Sequence, residues 1–365
     1  MNVNLAAAAE ATSGFVNMDE ARGILALALV GAARNPLRKN LIFWGPGGYG
    51  KSEFTHTYIS AAIGTPPYVI SMHREMSAAE MFGGIDVPAM QSGILRYRVE
   101  DSYMAHPVAQ FEEALDAPDS LLLSNKDIMT RREFTIGQKY QVKTHLIVIN
   151  TNHDPARFKN DMSKAAFLER FPYVARVDWS GVSLHERESS YAEIIRNVAN
   201  GGNPIGKKTG DILCNIANQE QWSPRRLIHV VQAAQDFTAM TENSKSKTVS
   251  TDHLMAVSAI LGYDTSEAIR RLEEEDLQEQ VNQFNNTMSQ LIGSVYQKIG
   301  QNFANHEDAA KVLREQKNML DNFIEQSNNA RYSFGGRSDE VIDALLGKID
   351  ECKIEIADRW MKVLG

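Results

Sequence analysis

One stretch, Gly45-Pro46-Gly47-Gly48-Tyr49-Gly50-Lys51-Ser52, constrains this chain more than any other. It follows the short, mostly apolar run Asn40 to Trp44 and leads into Ser52 to Ser60, so it reads as a strand, a glycine loop and a helix start. The spelling is G-x-x-x-x-G-K-S. Glycines let successive backbone N–H groups turn inward around phosphate oxygens with no Cβ in the way. The start of the following helix adds partial positive charge. Lys51 then reaches the β- and γ-phosphates of a nucleoside triphosphate, and the Ser52 hydroxyl sits on Mg²⁺. The expected ligands are therefore ATP and Mg²⁺.

A nucleotide loop needs acids on a neighbouring strand. Val108-Ala-Gln-Phe-Glu112-Glu113 is a short apolar strand that ends in two carboxylates. Glu112 is expected to hold Mg²⁺ through water, and Glu113 to orient the attacking water and accept its proton. The alternative reading of adjacent acids is a solvated surface. The competing pair Glu100-Asp101 follows Arg96 and Arg98, which make a poor buried strand. His145 to Asn152 is the strongest strand pattern in the chain. Ligands meet the C-terminal ends of parallel strands, so Asn150, Thr151 or Asn152 should point at the nucleotide. Further strands are read at Pro67 to Ser71 and Tyr173 to Asp178, and a helix at Asp19 to Arg34 that Asn35-Pro36 stops. Gly83-Gly84 breaks any helix from Ser77, and Leu95 to Val99 suggests a hairpin arm. Ser120 to Arg132 reads as a helix that Glu133 to Gly137 turns into a hairpin. His153, beside the strongest strand, is read as a structural loop residue.

Helical patterns take over from Ser180, at roughly 184–199, 208–219, 224–240 and 251–262. Beyond Asp264 the composition shifts to Glu, Gln, Asn and Lys. There Leu277, Val281, Phe284, Met288, Leu291 and Val295 step by four and three, a seam of nearly three heptads. Two more helices follow, at 306–326 and 338–363. A bundle packing on itself is weighed there against an intermolecular coiled coil. Net charge is −8, which argues against nucleic acid as the main partner. Lys126, Arg131, Arg132, Lys139 and Lys143 are the only dense basic cluster. The cysteines, Cys214 and Cys352, have no metal-type spacing and read as reduced residues of a cytoplasmic protein. No run approaches the 18 or so apolar residues of a membrane span, and the first ten residues lack the positive start of a signal peptide.

Taken together, the motifs resemble those of the AAA+ ATPases, in particular the MoxR-like branch. The resemblance covers about residues 18–262. Glu112-Glu-Ala-Leu-Asp-Ala-Pro118 is similar to the family's D-E-I-N-R-A-P block, and the helix and Arg132-Glu-Phe-Thr135 after it fit without a gap. Gly83-Gly84 falls where the family carries a glycine pair in an insert, whose arm would be Leu95 to Tyr103. Ile147 to Asn152 looks like the sensor 1 strand, with Asn152 as sensor. Phe167-Leu-Glu-Arg-Phe171 looks like the family's L-D-R-F. That would make Arg170 an arginine finger for the neighbouring subunit, the alternative being an arginine that pairs with Glu169 or caps the helix before Pro172. Ser223-Pro-Arg225 looks like sensor 2, with Arg226 the alternative. The departures are Glu112 where Asp is usual and Leu115-Asp116 in place of N-R.

The resemblance implies an α/β fold, an AAA+ P-loop sandwich around a central parallel sheet, followed by an α-helical lid and an extra C-terminal helical domain. The corresponding segments are an N-terminal arm (1–17, read as loose), a nucleotide-binding domain (18–180), a lid (181–263) and an extension (264–365). It implies a ring ATPase, usually a hexamer, that remodels a protein partner, often one with a von Willebrand A domain. The partner would be engaged by the insert around Met81 to Gly84, by the hairpin near 132–141 or by the C-terminal helices. The rivals are a nucleic-acid translocase or loader, and a nucleotide-gated scaffold with little hydrolysis.

Overall fold

In the computed structural model, which describes residues 1–136, 138–242, 247–263, 265–303 and 305–364, the run before the glycine loop is strand β1 (Leu41–Trp44). Helices α1 (Leu5–Ala11) and α2 (Asp19–Arg34) precede it. After the loop come α3 (Lys51–Ile63), β2 (Tyr68–Ser71) and two short helices, α4 (Ala78–Phe82) and α5 (Val87–Gln91). Strand β3 (Val108–Glu112), helix α6 (Asp119–Arg131) and the hairpin β4 (Glu133–Ile136) and β5 (Gln138–Gln141) follow. Then come β6 (Leu146–Thr151), α7 (Met162–Leu168) and β7 (Tyr173–Arg176). Gly137 and Asp264, at which the sequence sets a hairpin turn and the start of the extension, lie outside the described residues.

Five strands form one parallel sheet in the order β2-β3-β6-β1-β7. Successive side chains alternate between its faces. Ile42, Ile147, Ile149 and Phe111 enter one core, and Leu41, Phe43, Leu146 and Val148 the other. That double coverage explains why β6 reads as an unbroken apolar run. Leu146 to Ile149 are fully buried, and each stabilises by about 1.5–3 kcal/mol. Because β1, β3 and β6 are parallel neighbours, the residues that follow their C-terminal ends open at one edge.

Residues 1–17 do not form a loose arm. Helix α1 packs along α3, with the Asn4 N–H donating to Ala62 O at 2.7 Å and the Asn4 side chain capping α1 through Ala7 N at 3.1 Å. Ala8 is buried, and Phe15 meets Phe54 edge-on at 5.6 Å. The run of alanines in α1 offers no amphipathic stripe, so its packing left little trace in the hydrophobic pattern.

Helix α4 stops at Gly83, whose φ of +94° suits glycine and where a Cβ would come within 2.2 Å of Arg98 O. The expected arm is a minimal one. Ile85 forms an antiparallel bridge with Tyr97, closing a loop that carries α5. Met81 and Phe82 correct an expectation: they are core residues, 0% and 4% exposed, and Phe82 stacks on Phe134 at 4.9 Å. The apolar surface of the insert lies further on, at Val87, Met90 and Ile94, all more than half exposed. Truncation of Phe82 to Ala is expected to cost about 3–5 kcal/mol of stability, read by urea unfolding. A cost below about 1 kcal/mol would contradict the packing described.

After β7 the first unit continues with α8 (Leu184–Ala199), α9 (Lys207–Gln219), α10 (Pro224–Glu242) and α11 (Thr251–Ile260). Trp222 and Tyr191 anchor this group, the Tyr191 hydroxyl donating to Trp222 O at 2.7 Å. The chain divides into two compact units, Met1–Asp264 and Thr265–Gly365. The second holds α12 (Ser266–Ile299), α13 (His306–Phe334) and α14 (Asp339–Leu364), which share one core. The seam of α12 runs through Met288, Ile292, Val295 and Ile299, not through Leu291, which is 37% exposed. These helices bury their apolar stripes against one another. Among the described residues no helix is long and apolar enough to cross a membrane.

Candidate nucleotide-binding site

The glycine loop joins the end of β1 to the start of α3. Lys51 is 7% exposed, and its ammonium donates to Gly45 O (2.7 Å), Pro46 O (2.8 Å) and Asn152 Oδ1 (3.0 Å). All three donors of the ammonium are thus held at the mouth of the loop. Burial pushes its pKa below the ordinary value; the Glu113 and Glu112 carboxylates oppose that, and Arg225 adds to it. The Tyr49 ring turns to Trp179, at 6.0 Å, and Gly47 faces Asn152. Gly50 opens α3, with Met18 and Phe15 beside it.

Gly48 is where the helical group after β7 meets the loop. Its φ is +90°, and a Cβ there would lie 2.7 Å from Ser223 Oγ. The Arg225 N–H donates to Gly48 O at 3.0 Å. Arg225 therefore stands over the loop, close enough for its charge to act on Lys51. Arg226 does other work. Its guanidinium lies over the rings of Trp222 (4.5 Å) and Tyr263 (4.2 Å) and pairs with Glu220 at 3.5 Å.

The two acids at the end of β3 face different partners. Glu112 Oε2 accepts from Ser52 Oγ at 2.6 Å. Glu112 Oε1 accepts from Gln110 Nε2 at 2.6 Å and Asn150 Nδ2 at 2.9 Å. Glu113 adopts the left-handed φ of +52°, unusual for a residue with a side chain. That turn carries its carboxylate to β6, where Oε2 accepts from Thr151 Oγ1 and from the Asn152 N–H, both at 3.1 Å. Strained backbone of this kind costs of order 1–3 kcal/mol and persists where the surroundings enforce it. The three polar residues expected at the end of β6 thus divide the work: Asn150 holds Glu112, Thr151 holds Glu113, and Asn152 meets both Glu113 and Lys51.

Lys51, Ser52, Glu112, Glu113, Asn152 and Arg225 are brought together. Arg170 is not. Its Nη1 donates to Ala166 O and to Glu169 Oε2, each at 3.1 Å, and its carbonyl accepts from Asn40 Nδ2 at 3.2 Å. Asn40 precedes β1, so Arg170 lies at the opposite edge of the sheet from the glycine loop. The length of β1 alone is roughly 13 Å. Glu100 and Asp101 lie off the sheet, Asp101 paired with Arg98 at 2.7 Å. His153 pairs with Asp116 at 3.3 Å, and these two and Glu113 have ligand atoms within 4.8 Å of one another. Within the basic cluster, Lys139 pairs with Glu133 at 2.7 Å and Arg132 donates to Val142 O.

The residues present fit a nucleotide and a hard dication. The loop, Lys51 and the α3 N-terminus form a phosphate donor set with no room for a Cβ at Gly48. Ser52 Oγ and the Glu112 carboxylate form an all-oxygen set of the kind Mg²⁺ takes. Sequence reasoning missed Gln110, although its signal was there: an amide inside an apolar strand, two places before Glu112 and so on the same face. It also missed Asp116 as the partner of His153.

A family model described as the MoxR domain in the MoxR-vWA-beta-propeller ternary systems matches residues 3–188. A comparison with curated proteins returns no match. Similar solved structures include a point mutant of Thermotoga maritima RuvB, at 13% identity over 82% of this chain and 83% of that one, with a TM-score of 0.47. NtrX from Brucella abortus in complex with ATP is 16% identical over 83% of this chain and 67% of that one, at 0.48. The S. cerevisiae Hsp104–ADP complex is 16% identical over 66% and 49%, at 0.45.

Proposed function

The chain belongs to the MoxR family of AAA+ ATPases, and on that premise we propose that it is a ring-forming ATPase, a hexamer, whose ATP sites are shared between neighbouring subunits. Lys51 and the loop N–H groups hold the β- and γ-phosphates. Glu113 orients the attacking water and takes its proton as the water oxygen bonds to the γ-phosphorus and the bond to the β-phosphate oxygen breaks. Asn152 keeps Glu113 and Lys51 in register. Arg225 reports nucleotide occupancy to the lid through its bond to Gly48. Ser52 and Glu112 would hold Mg²⁺, which would supply charge neutralisation on the phosphates.

The observation that carries the reading is the position of Arg170. It is too far from its own loop to act there, and in the family pattern it is the residue that completes a neighbour's site. Head-to-tail contacts that close form a ring. The partner we propose is a protein with a von Willebrand A domain, since the matching model describes MoxR domains of MoxR-vWA-beta-propeller systems. The exposed Val87, Met90 and Ile94 give the insert an apolar surface for it. We assign the protein to the cytoplasm, where Cys214 and Cys352, buried and unpaired, stay reduced. The test is steady-state ATP hydrolysis over a protein dilution series. Specific activity is expected to rise with protein concentration; a constant value together with a monomeric mass would overturn the shared site.

A further inference from the structure

A buried amide in an apolar strand needs a reason. Gln110 is 2% exposed and sits between Ala109 and Phe111, both fully buried. Its Nε2 donates to Glu112 Oε1 at 2.6 Å and to Ser52 O, in the first turn of α3, at 3.0 Å. Among the described residues its buried Oε1 has no hydrogen-bond partner. The opposite amide orientation would set that oxygen against a carboxylate and a carbonyl, so the orphaned acceptor is the consequence of placing the donor. A leucine would fill the same space and remove the orphaned acceptor, at the cost of the bonds to Glu112 Oε1 and Ser52 O. The amide is there for its N–H groups.

Those N–H groups act on a feature of the site that departs from the family pattern. Glu112 stands where an aspartate is usual, and its extra methylene sets the carboxylate about 1.5 Å further out. Gln110 shares its strand face, two residues back. Asn150 lies opposite it across the ladder, donates to the same Oε1, and is itself fixed by Thr55 Oγ1 at 3.1 Å. Two amides thus hold one carboxylate oxygen and leave the other on Ser52.

We infer that Gln110 is a positioning residue that, with Asn150, draws the longer Glu112 carboxylate back so that it and Ser52 serve one divalent cation. This rests on the reading of Ser52 and Glu112 as the cation's residues. It makes Gln110 and Glu112 a matched pair: a shorter acid has no use for the amide, and the longer acid depends on it.

The experiment compares wild type, Gln110→Leu, Glu112→Asp and the double variant. The readout is the Mg²⁺ concentration that half-saturates tight binding of a fluorescent ATP analogue, with no turnover measured. Gln110→Leu is expected to raise that midpoint about tenfold, the usual scale for removing a residue that orients a ligand. The double variant is expected to return to within about threefold of wild type, because aspartate needs no pull from residue 110. Thermal melting without Mg²⁺ is expected to show that Gln110→Leu still unfolds cooperatively, its midpoint lowered only modestly by the loss of two hydrogen bonds that the removed orphaned acceptor partly offsets. An unchanged midpoint in a folded Gln110→Leu, or a double variant no better than Gln110→Leu, would overturn the inference and leave the cation site standing. Analogue binding in wild type that is indifferent to Mg²⁺ would overturn both.

Discussion

Glu113→Gln is expected to bind ATP as wild type does and to hydrolyse it about 10²–10⁴-fold more slowly, the range that a positioned general base contributes. The argument rests on what the substitution keeps. Glu113 Oε2 accepts hydrogen bonds from Thr151 Oγ1 and the Asn152 N–H. A glutamine carbonyl oxygen accepts both in the same place, so the left-handed turn at residue 113 and the end of β6 stay as they are. What is lost is the ability to take a proton from water. The effect should therefore fall on kcat and leave the dissociation constant unmoved, read by phosphate release beside binding of a fluorescent ATP analogue. Loss of binding with the rate would make the carboxylate a structural brace for β6. An unchanged rate would remove it from the chemistry, and the His153–Asp116 pair, within 4.8 Å, would be the next place to look.

The sequence showed most plainly what is local. The glycine loop, the buried run of β6 and the apolar strand ending in Glu112-Glu113 each carry their structure within a few residues, because a strand covered on both faces and a phosphate loop tolerate few side chains. The acid pair needed one further step, its distance from the loop. What stayed hidden depends on neighbours far along the chain. Helix α1 is ordered by α3, through Asn4 and Ala62, and a run of alanines gives no sign of which face will be covered. Met81 and Phe82 looked like an exposed docking pair beside two glycines, yet Phe134 from the later hairpin closes over them. Leu291 fitted a heptad count, but over a 34-residue helix the buried stripe drifts from a strict seven-residue repeat, and Ile292 takes the inward position. Its place in the motif favours Arg225 over Arg226; what the sequence left unsaid is that Trp222, Tyr263 and Glu220 hold Arg226 while the Arg225 N–H reaches Gly48. Gln110 was legible in principle, since period two ties it to Glu112. It went unread because a single polar residue does not change the character of a strand.

Arg170→Ala should lower ATP hydrolysis by about 10³-fold or more, the scale on which an arginine supplied in trans acts on phosphoryl transfer. Its effect on folding should be small. Among the described residues of the single chain the guanidinium meets Glu169, which is 72% exposed, and the carbonyl of Ala166. Surface pairs of that kind contribute about 0–1 kcal/mol. A large loss of rate without loss of stability is then hard to assign to anything within one subunit, because the strand β1 separates Arg170 from its own glycine loop. Mixing makes the point directly. Arg170→Ala subunits keep Glu113, and Glu113→Gln subunits keep Arg170. Each preparation alone is inactive, but when the two are mixed in equal amounts, unfolded together and reassembled, a site is complete wherever an Arg170→Ala subunit receives the arginine of a Glu113→Gln neighbour. Random assembly into a head-to-tail ring makes that about a quarter of the sites. Recovery of activity toward that fraction requires the two residues to act on one ATP from different chains. If each mixture stays as inactive as its parts while the ring forms, Arg170 and Glu113 do not share a site, and the arginine belongs to the helix it folds back on.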